Sequence, residues 1–316
     1  MSKKRTNSIL VVVFLVLAVA VVSNQLIKSK KGERTFKSEL TAFSADEVES
    51  ISIFTKANDY QPMKMTRSGD NWSLNFGDKT YSADPDMASN IANDLGRLKA
   101  TRLVANKKDR WDEFDVSDTT GVKVLVEGEK DPLCEVFIGR FSYNQNSQKA
   151  STFVRLAEDK EVYSVEGYLG MVFNRDVNSF RNKSLFRGNQ NDLTRISFQY
   201  PGDSAFTINK QENTWMLGEL EADSTATVQY LSGISYLIGS EFNDDFDPTA
   251  ATSYQSFTCT VEGNNMASLI LTGYKDEDGN SVIGSSLNPG VFFNASSGGL
   301  FEKVFKGPGH FIGAIE

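Results

Sequence analysis

Histidine and cysteine are almost missing from this sequence: its 316 residues include one His and two Cys. A His-rich zinc site, a Cys-based zinc knuckle and a disulfide-stapled scaffold are excluded on that ground. Familiar catalytic signatures are missing as well, with no G-x-S-x-G elbow, P-loop, C-x-x-C or H-E-x-x-H. Gly307-Pro308-Gly309-His310-Phe311-Ile312-Gly313 approaches a dinucleotide loop, but Ile312 stands at the third glycine position and no clear strand precedes it. The segment reads as a loop or frayed tail, too mobile to hold His310 as a general base. Asp276-Glu277-Asp278-Gly279-Asn280 has Gly fourth and Leu287 twelfth, where an EF-hand needs Gly sixth and Glu twelfth. It reads as an acidic surface turn, and Asp244, Asp245 and Asp247 as a solvated loop. No catalytic, cofactor-binding or metal-ligating residue is assigned, and no cofactor is expected.

What is present is an uneven charge. Residues 1–34 hold seven Lys/Arg and one Glu, leaving 26 basic against 40 acidic residues in the rest, a net of −14. A body so acidic repels phosphate backbones, so nucleic acid is not an expected partner. Lys3, Lys4 and Arg5 precede an apolar run from Ile9 to Val22, which extends through Leu26 and Ile27 before Lys28, Lys30 and Lys31. Two readings are open. Ala18-Val19-Ala20 has the small-x-small form of a signal-peptidase site, but it lies inside the apolar run rather than after it. An uncleaved single-pass anchor is the reading preferred here, with the basic tail inside a bacterial inner membrane and the acidic body in the periplasm.

Beyond a linker at 35–49, one pattern occurs twice. Ile51-Ser52-Ile53-Phe54 and Ile196-Ser197-Phe198 open strands. Trp72 and Trp215 occupy corresponding later strands, and Ala83-Asp84-Pro85 and Ala222-Asp223-Ser224 each precede a helical pattern. The offsets are 145, 143 and 139 positions, a drift that short turn deletions explain. Val122–Gly128 and Phe257–Gly263 match at an offset of 135, each an alternating strand ended by Gly and followed by another strand. Asp84 is a good N-cap with Pro85 at the first helical position, and Asp223 or Ser224 serves the second helix. Met87, Ile91, Leu95 and Leu98, then Val228, Leu231, Ile234 and Ile238, are expected as single buried stripes. The expected fold is therefore α+β: an amino-terminal transmembrane helix in 1–34, then two tandem antiparallel-sheet-plus-helix copies, residues 50–190 and 191–316.

Trp72 and Trp215 are read as packing residues because they recur at equivalent strand positions. Trp111, in Arg110-Trp111-Asp112-Glu113-Phe114, is expected to anchor a short helical or turn segment. Cys134 and Cys259 are either two buried thiols or a disulfide joining the copies, if they face an oxidising space. Trp72-Ser73-Leu74, Ala83-Asp84-Pro85, Trp111-Asp112-Glu113-Phe114, Phe137-Ile138-Gly139, Thr152-Phe153-Val154-Arg155 and Val162-Tyr163 together resemble the bacterial domain of unknown function numbered 4340. The resemblance covers about residues 50–185 well and the second copy more weakly, since the latter lacks Trp-Asp-x-Phe. Members of that family commonly occur with gliding-motility-type ABC transporter auxiliary proteins, so the resemblance implies an envelope accessory role and brings no catalytic residues.

The leading functional expectation is a membrane-anchored, non-enzymatic extracytoplasmic scaffold. Its partner would be a protein of an ABC-type export or gliding-related envelope complex. The alternative is a module binding a carbohydrate or cell-wall ligand, which requires exposed aromatics lining a groove between the copies. The third is a hydrolase built on an unrecognised carboxylate pair, which requires two acids about 5–10 Å apart in a cleft.

Overall fold

The computed structural model describes residues 36–312 apart from 147 and 297. The chain runs through β1 (Ser50–Phe54), β2 (Pro62–Ser68), β3 (Asn71–Phe76), β4 (Lys79–Ser82), helix α1 (Pro85–Gly96), β5 (Ala100–Ala105), β6 (Val122–Glu127), β7 (Pro132–Asn144), β8 (Lys149–Leu156), β9 (Val162–Glu166) and the short helix α2 (Leu169–Phe173). It continues with β10 (Ser184–Arg187), β11 (Leu193–Tyr200), β12 (Ser204–Gln211), β13 (Thr214–Leu217), β14 (Leu220–Glu221), α3 (Ser224–Ile234) and β15 (Tyr236–Ile238). Then come β16 (Gln255–Gly263), β17 (Leu269–Lys275), β18 (Ser281–Ser285), β19 (Phe292–Asn294) and α4 (Leu300–Val304). Two compact units result. One holds the described residues up to 64 together with 89–175, the other 65–88 together with 176–312.

In the first unit, strands lie in the order β1-β6-β7-β8-β9-β5, every neighbour antiparallel. Alternation dictates the core: Val122, Val124 and Val126 of β6 turn inward while Lys123 and Leu125 do not. Opposite them, Ile51 pairs with Val126 and Ile53 with Val124, so β-branched side chains meet across the ladder. The β7–β8 register shifts between Ile138 and Phe141, and beyond that irregularity β7 runs outward with exposed residues as far as Asn144. Thr41 closes the end of α1, its Oγ1 donating to the Leu95 carbonyl at 2.5 Å and accepting from the Leu98 amide at 3.0 Å.

In the second unit, the sheet order is β14-β13-β12-β11-β16-β17-β18-β19. Its centre repeats the pattern of the first unit: β1-β6-β7-β8-β9 corresponds to β11-β16-β17-β18-β19, and the Ile51–Val126 pair recurs as Ile196–Val261. The run β4-β3-β2 likewise matches β14-β13-β12. The copies diverge where β5 joins β9 at the sheet edge, whereas β15 pairs with β10 in a separate two-stranded ribbon. Over this sheet α3 buries Thr227, Tyr230, Leu231 and Ile234. Asp223 caps the helix by accepting from the Ala226 amide at 2.7 Å, as Asp84 caps α1 from Asp86 and Met87.

Several expectations are corrected. Among the described residues strand accounts for 43% and helix for 20%, so the α+β content expected is present but antiparallel sheet dominates it, and the transmembrane helix of the expected architecture is not seen. Among the described residues no helix is long and apolar enough to cross a membrane, and the helix expected within 1–34 lies outside them. Among the described residues only 85–96 and 224–234 sustain helical spacing beyond about one turn, and strands make up most of the remaining regular structure. Val228 and Ile238 are exposed rather than part of a buried stripe, because α3 ends at Ile234 and turns Tyr230 inward instead. The segment around His310 is no frayed tail. Phe311 is fully buried against Tyr230 and Phe198, and its carbonyl accepts from the Asp223 amide at 2.9 Å, locking the segment to the start of α3.

Candidate functional site

The Trp111 segment is two tight turns, Lys108–Arg110 and Asp112–Phe114, laid against β7 and β8. Trp111 is buried and its indole N–H donates to the Lys160 carbonyl at 2.9 Å. Against its face lies Arg155, a guanidinium only 1% exposed, 3.7 Å from the Trp111 ring centre and 4.0 Å from that of Phe137. Register explains the placement: Arg155 pairs directly with Phe137 across β7 and β8. Its remaining donors reach the carbonyls of Val116 (3.0 Å) and Ala157 (3.2 Å) and the carboxylate of Asp118 (2.8 Å). A buried charge is tolerable on those terms, with two aromatic faces and oxygen acceptors on all three nitrogens. Burial lowers the Arg155 pKa, with Asp118 opposing the shift. Gly139 completes the arrangement, because a Cβ there would collide with the Phe114 carbonyl oxygen.

Beside this staple opens a cleft of about 470 Å³, lined by Val122, Ile138, Gly139, Phe141, Gly170 and Met171, with Asp115, Thr120, Arg140 and Asn174 at its sides. Gly170 lets α2 lie directly on β7, since a Cβ would sit 2.6 Å from the Gly139 carbonyl oxygen. Phe141, Tyr168 and Met171 are 43%, 49% and 50% exposed, and the rings of Phe141 and Tyr168 lie 6.1 Å apart. Nothing in the sequence marks these three side chains as a group. An alternating strand pattern reports which face a residue occupies, not whether anything covers it.

The second unit carries a comparable staple. Arg181, 3% exposed, lies 4.0 Å from the Tyr81 ring centre and 3.6 Å from that of Phe242, with both Nη atoms on Asp244 at 2.8 and 2.5 Å. That hydrogen bonding holds the Asp244 carboxyl below its ordinary range. So Asp244 is an anchor for Arg181 rather than part of a free acidic loop. Asp247 is satisfied by the Thr249 amide and hydroxyl, and Asp276 by the Asn280 amide and side chain, which form a closed turn between β17 and β18. Asp84 and Asp86 converge on Arg187. Among the described residues no group of three His, Cys, Asp or Glu is placed to hold a metal ion.

Cys134 and Cys259 are free thiols, both pushed up to about 12 by burial, where the nucleophilic thiolate is scarce at neutral pH. His310 packs edge-on against Phe311 and Tyr230, and burial lowers its pKa. Trp72 is buried under Arg67, while Trp215 is half-buried.

A family model described as a domain of unknown function, DUF4340, matches residues 75–255, more than half of the chain. The chain belongs to the DUF4340 family. The match begins in β3 and ends at the first residue of β16, so it crosses from one copy into the next. Within it fall the segments now seen to build the first staple: Trp111 to Phe114, Phe137 to Gly139, and Arg155. Comparison with curated proteins and with solved structures gives no match. The second copy's lack of Trp-Asp-x-Phe also has a structural reason. By register, Arg155 corresponds to Gly284 on β18, so there is no guanidinium for a tryptophan to stack upon. There Phe246 packs against Tyr254, Tyr274 and Phe292 instead.

Proposed function

We propose that this DUF4340 protein is an accessory module that docks a partner protein through the cleft beside the β7–β8 hairpin. The carrying observation is the exposed group Phe141, Tyr168 and Met171 around a cleft with a glycine-backed floor. Aromatic and methionine side chains are those enriched at the centres of protein interfaces, and here Phe141 stands on β7 while Tyr168 and Met171 stand at the start of and within α2, which packs on that strand. Arg140 flanks the apolar group, its charge also felt by Glu113, so an apolar partner segment with an acidic residue beside it fits the surface best. The basic and apolar residues 1–31 support a position at a membrane, and the family resemblance supports a partner within an ABC-type export or gliding-related envelope complex.

The test is affinity capture from detergent-solubilised membranes, comparing the natural chain with Phe141→Ser and Met171→Ser. Recovery of a transport or envelope protein that the two variants lose supports docking here. Equal recovery by all three chains, or recovery of no such protein by any, overturns it.

A further inference from the structure

The two repeat-equivalent tryptophans differ in one respect that packing alone does not account for. Trp72 on β3 is closed over: it is 5% exposed, and the Arg67 guanidinium lies 5.9 Å from its ring centre. On β13, Trp215 is half-buried, and its cross-strand neighbour is Lys210 instead. The side chain of Trp215 lines a pocket of about 240 Å³ with Val228 and Leu231 of α3 on its apolar side. Around the rest stand Gln190, Asn191, Lys210, Asn213 and Glu221. Asn191, Asn213 and Glu221 are exposed and Lys210 half-buried, and among the described residues their side chains have no hydrogen-bond or ion-pair partner, which leaves them free to meet a ligand in the pocket they line. The Gln190 Oε1 atom is buried and also lacks a partner.

We propose that this pocket binds a single pyranose ring, as a terminal or isolated sugar. One face of a pyranose is a patch of C–H groups, and Trp215 with Val228 offers an apolar wall to receive it. Its edge is a ring of hydroxyls, each both donor and acceptor. Amide side chains match that edge in both senses, Lys210 adds a donor and Glu221 an acceptor. The volume lies below the roughly 300–1,000 Å³ of pockets for drug-sized ligands, which suits one ring rather than a chain of several. Lys210 is a specific difference from the first copy: there an arginine lies 5.9 Å from the ring centre of the buried Trp72, whereas the half-buried Trp215 has a lysine opposite it. The site is separate from the partner-docking cleft, so either assignment stands or falls without the other.

Titration calorimetry of the chain with glucose, galactose and N-acetylglucosamine tests the assignment. At least one sugar is expected to bind saturably with a Kd of about 0.1–10 mM, as a small polar site permits. Trp215→Ala is expected to weaken that binding at least about tenfold, and Asn213→Ala, at an exposed turn, several-fold, where about 1.4 kcal/mol corresponds to a factor of ten. Lys210→Arg, which recreates the arginine of the first copy, is expected to weaken binding while leaving thermal unfolding unchanged. If none of the three sugars binds saturably up to about 50 mM, or if Asn213→Ala and Lys210→Arg both leave Kd unchanged, the proposal is overturned.

Discussion

Replacing Arg155 tests the account of the first unit most directly. In Arg155→Ala, the guanidinium leaves the gap between Trp111 and Phe137, and the carbonyls of Val116 and Ala157 lose their donor. Each desolvated ring contact is worth up to about 2 kcal/mol, and each buried acceptor left unpaired costs about 1–3 kcal/mol. These terms overlap, and the free Asp118 carboxylate regains water, so the expected loss is about 3–5 kcal/mol. Arg155→Lys keeps the charge but neither the planar stack nor the fork of donors, and should cost about 2–3 kcal/mol. Asp118→Asn should cost less than about 1 kcal/mol, because the Asp118 side chain is 66% exposed and its pairing is screened by solvent. Urea unfolding followed by tryptophan fluorescence measures all three, with Trp111 as the local reporter. The reasoning predicts the order Ala, then Lys, then Asn. If Asp118→Asn matches Arg155→Ala, the ion pair and not the aromatic stack holds the segment, and the account given for this staple is wrong.

Other outcomes follow from the same geometry. Gly139→Ala drives a methyl group into the Phe114 carbonyl and should cost about 1–3 kcal/mol, with a red shift of Trp111 emission as the 111–116 segment lifts; an unshifted spectrum would show that the backbone contact is not tight. Asp244 has a folded-state pKa below its unfolded value, so its contribution is present above about pH 4 and is lost as pH falls through the lower folded value. Acid titration of stability should therefore be shallower in Asp244→Asn, and an identical profile would dissociate Asp244 from Arg181. Cys259 should react with a disulfide reagent at pH 8 far more slowly than a free cysteine and more slowly than the half-buried Cys134, and rapid labelling of both thiols in the folded chain would contradict the burial of Cys259. Phe311→Ala should destabilise the second unit by about 3–5 kcal/mol, as expected of a fully buried ring, and a loss below about 1 kcal/mol would restore the reading of a frayed tail.

Local chemistry was enough to reveal some of this molecule from residues alone. An alternating strand such as Val122–Glu127 declares its two faces, and Asp84 and Asp223 declare helix starts, because strand pleat and cap hydrogen bonds span only a few positions. The spacing from Ile51 to Ile196, and from Val126 to Val261, is likewise legible in the sequence, and the matching sheet orders share it. Strand β18, Ser281–Ser285, is not legible in the sequence because its buried residues include Ser and Gly, with no alternation to read. The charges were less legible still. Arg155 looked like an ordinary strand residue, and Asp244 like a solvated acid. Their meaning depends on Trp111, Phe137, Tyr81 and Phe242, which are brought beside them only by strand register and chain crossings. The openings at Phe141 and Trp215 belong to the same class. Burial is a property of what packs against a side chain, and partners tens of positions away are chosen by the tertiary fold, not by neighbours in the chain.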